Sequence, residues 1–382
     1  MKSDLDHLME AHNLDALLIT GAAQHNPAMH YFTGNVHVSA AELVKRRGQE
    51  PVLFCNPMER EEAAATGLNI RSLSDYPLDA LLKETGGDQA QALAARYAHI
   101  LRDLGCERGR VALHGVIDAG AAFAIFSALQ ARLPEITLVG DPAHSILHDA
   151  MLTKDSAEIA RIRRMSEITT AVVGRTADFL TSHAVKDETL ISRDGAPLTI
   201  GQVKSQINLW LAEAGAETPE GFIFSIGRDA GIPHSIGNPS DPLRLGQTIV
   251  FDIYPAEMGG GYWYDFTRTW SLGYATDAAQ ALYDDVLTVY QAMMGSLKLD
   301  APTAPYQEET CRLFEAQGHP TVRQNPKTTS GYVHSLGHGL GLRIHERPWF
   351  RSYAAENEAL LANVVFTIEP GLYYPERGLG VR

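Results

Sequence analysis

A chain of 382 residues exceeds one ordinary domain and falls short of three, so two domains are expected, each large enough to bury its own core. Hydrophobic residues at 45% and charged residues at 20% exclude a disordered, collagen-like or low-complexity chain. With 32 Lys and Arg against 46 Asp and Glu, the formal charge of -14 repels phosphate backbones and argues against nucleic acid as a partner.

The first 150 residues alternate short β-type runs with helical stretches. Leu14 to Thr20, Pro51 to Cys55, Asn69 to Leu73 and Val111 to His114 are read as strands, and Met58 to Thr66, Leu78 to Leu104 and Ala119 to Leu133 as helices. That alternation predicts a layered α/β domain over residues 1–150. A capping box at Asp155-Ser156-Ala157-Glu158 then opens a helix with Ile159, Ile162, Met165, Ile168 and Val172 on one face, so a second domain is placed over residues 151–382. Helices are predicted over Ile200 to Ala214 and Ala278 to Met294. Strands are predicted over Phe222 to Ile226, Thr248 to Tyr254, Tyr262 to Trp270 and Val364 to Glu369, which makes this half α+β.

Cys55, Cys106 and Cys311 are odd in number and widely spaced, which suits reduced thiols and offers no cysteine metal site. The N-terminal MKSDLDH lacks the apolar core of a signal peptide, and the most apolar stretch, Ala119 to Leu129, is shorter than the about 18 residues of a membrane span. A cytoplasmic protein without a membrane partner is expected.

Four features carry chemistry. Phe251-Asp252-Ile253-Tyr254-Pro255 and Tyr264-Asp265-Phe266-Thr267-Arg268-Thr269 flank Gly259-Gly260-Gly261, a hairpin signal. A turn centred on Met258 and Gly259 would set Asp252 directly opposite Asp265, a like-charge pair that calls for a cation. Two solvated aspartates would be the plainer reading, but Asp252 follows a run suited to a buried strand, where an unpaired carboxylate is costly. His334, His338 and His345 crowd the glycine-rich segment 334–346, a density that points to metal binding or proton transfer, in a spacing unlike the zinc-protease helix. Glu369 closes an apolar run before Pro370-Gly371, placed to project into a cleft. His234, in Ile232-Pro233-His234, lies in a turn-rich segment and alone would be read as structural.

Asp252 in FDIYP, Asp265 in YDFTRT, His338 in GHGLGLRIHE and Glu369 in TIEPG, in this order, resemble the pita-bread metallopeptidases. Leu14 to Thr20 followed by MHYFTGN resembles the N-terminal domain of the prolidase, Xaa-Pro aminopeptidase and creatinase branch, so the likeness spans most of the chain. It implies a creatinase-like α/β domain ahead of an α+β pita-bread catalytic domain. It further implies two divalent metal ions on Asp252, Asp265, His338 and Glu369, a ligand set that suits manganese, with cobalt or zinc as alternatives. Glu369 would also handle the proton of the attacking water, and His234 and His345 would line the substrate site and stabilise charge, with His334 as a substrate-side neighbour. Arg343, Arg347 and Arg351 are candidates to bind a substrate carboxylate. The implied activity is hydrolysis of the Xaa-Pro bond in small proline-containing peptides, foremost as a dipeptidase. An Xaa-Pro aminopeptidase, a creatinase-like hydrolase without metals and an inactive binding protein are the alternatives. A homodimer is implied by the same likeness.

Two departures stand out. Asp252 and Asp265 are two residues further apart than the family pattern, a difference the extra glycines of the hairpin tip absorb. The family continues past Gly-Val-Arg to a second bridging glutamate, which here would fall just beyond Arg382 and reads as truncation rather than loss.

Overall fold

The computed structural model describes residues 4–140, 145–352 and 358–382. The chain divides into two compact units, Met1–Met151 with Gly259–Gly261, and Leu152–Met258 with Tyr262–Arg382.

The first unit is built on a six-stranded mixed sheet. Its strands run in the order Asn69–Ser72, Val52–Cys55, Ala41–Arg46, Ala16–Gly21, Gly109–Gly115 and Ile136–Val139. Ala16–Gly21 pairs antiparallel with Ala41–Arg46 and parallel with Gly109–Gly115, and its side chains are buried almost throughout. This apolar run, sandwiched within the sheet, explains why its sequence lacks alternation. The predicted helix over Leu78 to Leu104 is two helices, Leu78–Glu84 and Gln89–Asp103. Gly86 and Gly87 adopt φ of 65° and 90°, which ends the first, and Asp88 caps the second by accepting from Gln91 N at 3.0 Å. Met58 to Thr66 resolves into a 3-10 turn, Pro57–Glu59, and a short helix, Arg60–Ala64. Cys55, Cys106 and Cys311 are buried free thiols. Among the described residues no helix is long and apolar enough to cross a membrane.

The second unit opens with the helix Ser156–Thr181, whose capping box forms: Asp155 accepts from Glu158 N and Glu158 reaches back to Asp155 N. Its apolar face, with Met165, Val172 and Leu180, packs with Val203, Ile207 and Leu211 of helix Ile200–Glu213 onto Phe222, Phe224 and Phe251. These aromatics belong to, or lead into, a three-stranded antiparallel sheet of Ile223–Ile226, Thr248–Ile253 and Phe266–Ser271. Phe251 meets Phe224 and Trp270 at ring separations of 5.2 and 5.5 Å. A second core gathers helices Asp277–Ser296 and Ala304–Ala316 around Phe314, Tyr332, Phe350 and Leu372.

Two expectations about this sheet are corrected. Asp252 stands opposite Thr267, not Asp265. The tip is centred between Gly259 and Gly260, one residue further along than the expected turn, and the Ala256–Trp263 bridge keeps that register. Asp265 therefore falls just before the strand Phe266–Ser271, diagonal to Asp252 on the same face. The run Val364 to Glu369 is extended but forms no regular strand, with only a Gly339–Phe366 bridge.

Candidate functional site

The central sheet delivers the first two carboxylates. Asp252 is 2% exposed, and its Oδ1 accepts from Thr267 Oγ1 at 2.6 Å while its Oδ2 meets the Arg382 guanidinium at 2.5 Å. Burial pushes its carboxyl up to about 7 even with Arg382 beside it, and the nearby Asp265 and Glu369 add to the rise.

The other ligand candidates come from two extended segments laid side by side. Leu340 N donates to Val365 O, Thr367 N to His338 O and Glu369 N to Leu336 O, at 3.0, 2.8 and 2.8 Å. Only glycine permits this approach at 337, since a Cβ there would lie 2.0 Å from Thr367 O; a Cβ on Gly339 would instead lie 1.9 Å from Arg347 O of the neighbouring strand Glu346–Trp349. The pairing brings His338 Nε2 within 3.2 Å of Glu369 Oε1 and 3.5 Å of Asp265 Oδ2. One ligand atom each from Asp265, His338 and Glu369 lies within 4.8 Å of the others. His338 Nδ1 sits 3.0 Å from Gly339 O, a contact that directs Nε2 to the carboxylates.

The electrostatics describe a pocket that demands positive charge. Burial opposes charging of His338, but hydrogen bonds to Asp265 and Glu369 outweigh it and hold the imidazole up at about 10. Burial likewise opposes ionisation of Glu369, yet Arg382 and His338 pull its carboxyl down to about 2. Arg382 also stands 3.1 Å from Glu369 Oε2. Three carboxylates thus share two cations of the protein itself. A largely buried, carboxylate-rich donor set with one imidazole fits divalent metal ions.

The remaining predicted residues fall around this cluster. His345 stacks edge-on to His338 with ring centroids 4.4 Å apart, and desolvation and the His338 charge lower its basicity. His334 sits between Tyr332 and Tyr373, with Nε2 3.1 Å from Tyr373 Oη, and burial together with Arg382 lowers it to about 4. His234 is exposed and close enough to lower the basicity of both His334 and His345. The three arginines do not act alike. Arg347 is ion-paired with the buried Glu358 at 2.5 Å, Arg351 lies over the Trp349 ring at 4.4 Å, and Arg343 is exposed with its backbone N bonded to Glu346. Trp349 in turn stacks on His345 at 6.5 Å, so Arg351 ends a line of rings that begins at His338.

Sequence reasoning missed Arg382, Thr267, Tyr373 and Trp349. Thr267 was legible, two residues past Asp265 in YDFTRT and so on the same strand face. Arg382 closes Gly-Val-Arg, but nothing in its neighbours marks it as the counter-charge of Asp252. Asp265, Glu369 and Arg382 also line a cavity of about 570 Å³ that continues along Tyr283, Tyr290 and Met294.

The chain is similar to known proteins over nearly all of its length. An Xaa-Pro dipeptidase from Lactobacillus delbrueckii subsp. lactis is 23% identical over 377 residues, covering 97% of this chain and 89% of its own. One from Pyrococcus horikoshii is 23% identical over 377 residues, at 98% and 90% coverage. The fold matches the solved X-Pro aminopeptidase of Thermotoga maritima with a TM-score of 0.73 at 21% identity, covering 98% of this chain and 93% of that one. It matches the Xaa-Pro dipeptidase of Bacillus anthracis with a TM-score of 0.73 at 19% identity, covering 99% and 91%. Residues 2–143 match the creatinase/prolidase N-terminal domain. Residues 160–382, more than half of the chain, match the catalytic domain that follows it, and the chain belongs to metallopeptidase family M24.

Proposed function

We propose that this peptidase is a metal-dependent Xaa-Pro dipeptidase, and the observation that carries the reading is the convergence of Asp265, His338 and Glu369 beside the buried Asp252. These four residues would hold two divalent ions, manganese foremost, which would polarise the scissile carbonyl and make water nucleophilic near neutral pH. Glu369, at the mouth of its extended segment and already bonded to Thr367 Oγ1 at 3.1 Å, takes the proton of the attacking water. His345 and His234, both exposed beside the cluster, face the substrate and hold charge that develops on it. His334, kept neutral by burial, stands on the substrate side as a neighbour that holds Tyr373 Oη at its Nε2.

A dipeptidase needs a cation to read the free carboxylate of its product-side residue. Arg351 is the candidate, because it stands at the end of the His338–His345–Trp349 line. The relatives named Xaa-Pro dipeptidase support the dipeptidase reading. Xaa-Pro aminopeptidase is the second reading, because the fold matches the Thermotoga aminopeptidase and the Bacillus dipeptidase equally well. The proposed setting is a cytoplasmic homodimer acting on small proline-containing peptides. Hydrolysis with added manganese decides between the two enzymes: cleavage of Xaa-Pro but not Xaa-Pro-Xaa is expected, and preferred cleavage of the longer peptide would select the aminopeptidase.

A further inference from the structure

A buried charge pair that the ligand set does not use stands behind the histidine segment. Lys154 Nζ lies 2.8 Å from Glu346 Oε2, with side chains 1% and 6% exposed. Lys154 immediately precedes the capping box of helix Ser156–Thr181, and its backbone N donates to Asn363 O at 2.9 Å. Glu346 follows His345, and its other oxygen accepts from Arg343 N at 3.0 Å. One carboxylate thereby closes the turn 343–346 on itself and ties it to a segment 192 residues away.

The glycine pattern of the segment is shaped to admit this pair. A Cβ on Gly341 would lie 2.5 Å from Glu346 Oε2 and 2.8 Å from Lys154 Cε. Trp263 supports the same turn from the hairpin, with its N bonded to Gly341 O at 2.8 Å and its Nε1 to Leu342 O at 3.2 Å. Withdrawing two charges from water offsets most of what their attraction returns, so such a pair adds little net stability and is better explained by the geometry it fixes. The residue beside Glu346 in the chain is His345, whose ring lies 4.4 Å from that of His338.

We infer that the Lys154–Glu346 pair consists of positioning residues that hold His345 against His338 for the reaction proposed above, and the inference rests on that reading of the site. The test compares hydrolysis of an Xaa-Pro dipeptide with manganese by the parent chain, Lys154→Met, Glu346→Gln and the double variant Lys154→Met/Glu346→Leu. Each single variant strands a buried charge and loses thermal stability, while the double variant regains it. The double variant nevertheless keeps kcat at least about tenfold below the parent with KM within about threefold, and Lys154→Arg, which restores a cation, recovers most of kcat. Parental kcat in a double variant of parental stability would overturn the inference. If the parent hydrolyses no Xaa-Pro substrate, the dipeptidase reading fails by itself. The positioning claim is then decided by NMR of histidine-labelled protein, with the His345 side-chain signals assigned by their loss in His345→Gln. A shift of those signals in the double variant is expected, and unchanged signals would overturn the inference.

Discussion

Replacing Gly337 with alanine tests whether the His338 and Glu369 segments must touch for the site to form. The new methyl would lie 2.0 Å from Thr367 O, where Cβ atoms essentially never come closer than 3.0 Å. The two segments must therefore part by about 1 Å, because a close-packed interior has nowhere else to put the atom. That movement strains the Thr367 N to His338 O and Glu369 N to Leu336 O hydrogen bonds, both 2.8 Å. At about 1 kcal/mol net for each bond and about 1–3 kcal/mol for overpacking, the variant should lose about 3–5 kcal/mol of stability. His338 and Glu369, now 3.2 Å apart, would separate as well, and a displacement of that size costs roughly 100-fold in rate. Urea unfolding followed by circular dichroism and steady-state kcat read the two effects. Unfolding within about 0.5 kcal/mol of the parent, with kcat unchanged, would show that the two segments need not touch for the site to form.

Other variants probe the arginines and the first unit. Arg351→Ala should raise KM for an Xaa-Pro dipeptide about tenfold with little change in kcat, because a charge-assisted contact to the substrate carboxylate is lost; an unchanged KM would return the choice to Arg343. Arg347→Ala instead leaves the buried Glu358 without its cation and should cost about 3 kcal/mol of stability in a thermal melt, whatever its effect on KM. In the first unit, burial lifts the Glu42 carboxyl from 4.5 to about 8, while its Oε1 accepts from Tyr97 Oη at 2.9 Å. The folded state then holds a proton that the unfolded chain releases, so this contribution is fully present below pH 4.5 and is lost as pH rises through about 8. Glu42→Gln should flatten the fall of stability between pH 5 and about 8; a variant whose stability still falls as the parent's does would remove Glu42 from the account.

The sequence was most readable where local chemistry acts alone. The Asp155–Glu158 capping box and the buried run ending at Asp252 needed only spacing and composition, and both form as expected. Choices that depend on distant partners were not legible. The break at Gly86 and Gly87 is different: the paired glycines and the Asp88 cap mark it locally, and the helical composition on either side masked that signal. The hairpin centre was misplaced by one residue, since Met258 to Gly261 contains several glycines able to turn and only the Ala256–Trp263 bridge selects among them. Asp265, His338 and Glu369 were recognisable through their motifs, but the reason for the glycines between the histidines lies in contacts with Thr367, Arg347 and the Lys154–Glu346 pair. Arg382 could not be assigned a partner from sequence, because its attraction to Asp252 exists only once the strands have folded.

Manganese binding and Xaa-Pro hydrolysis, followed together in the parent and in Asp265→Asn, test most directly whether these residues hold a catalytic metal. Asp265 lies beside His338 and Glu369 at the end of a strand, and the amide keeps the shape of the side chain while removing its charge. A chelator should silence the parent and manganese restore it, while Asp265→Asn should bind manganese weakly and hydrolyse nothing with its circular dichroism unchanged. Full hydrolysis by Asp265→Asn, or a parent whose activity neither falls with chelation nor responds to manganese, would contradict a catalytic metal at these residues.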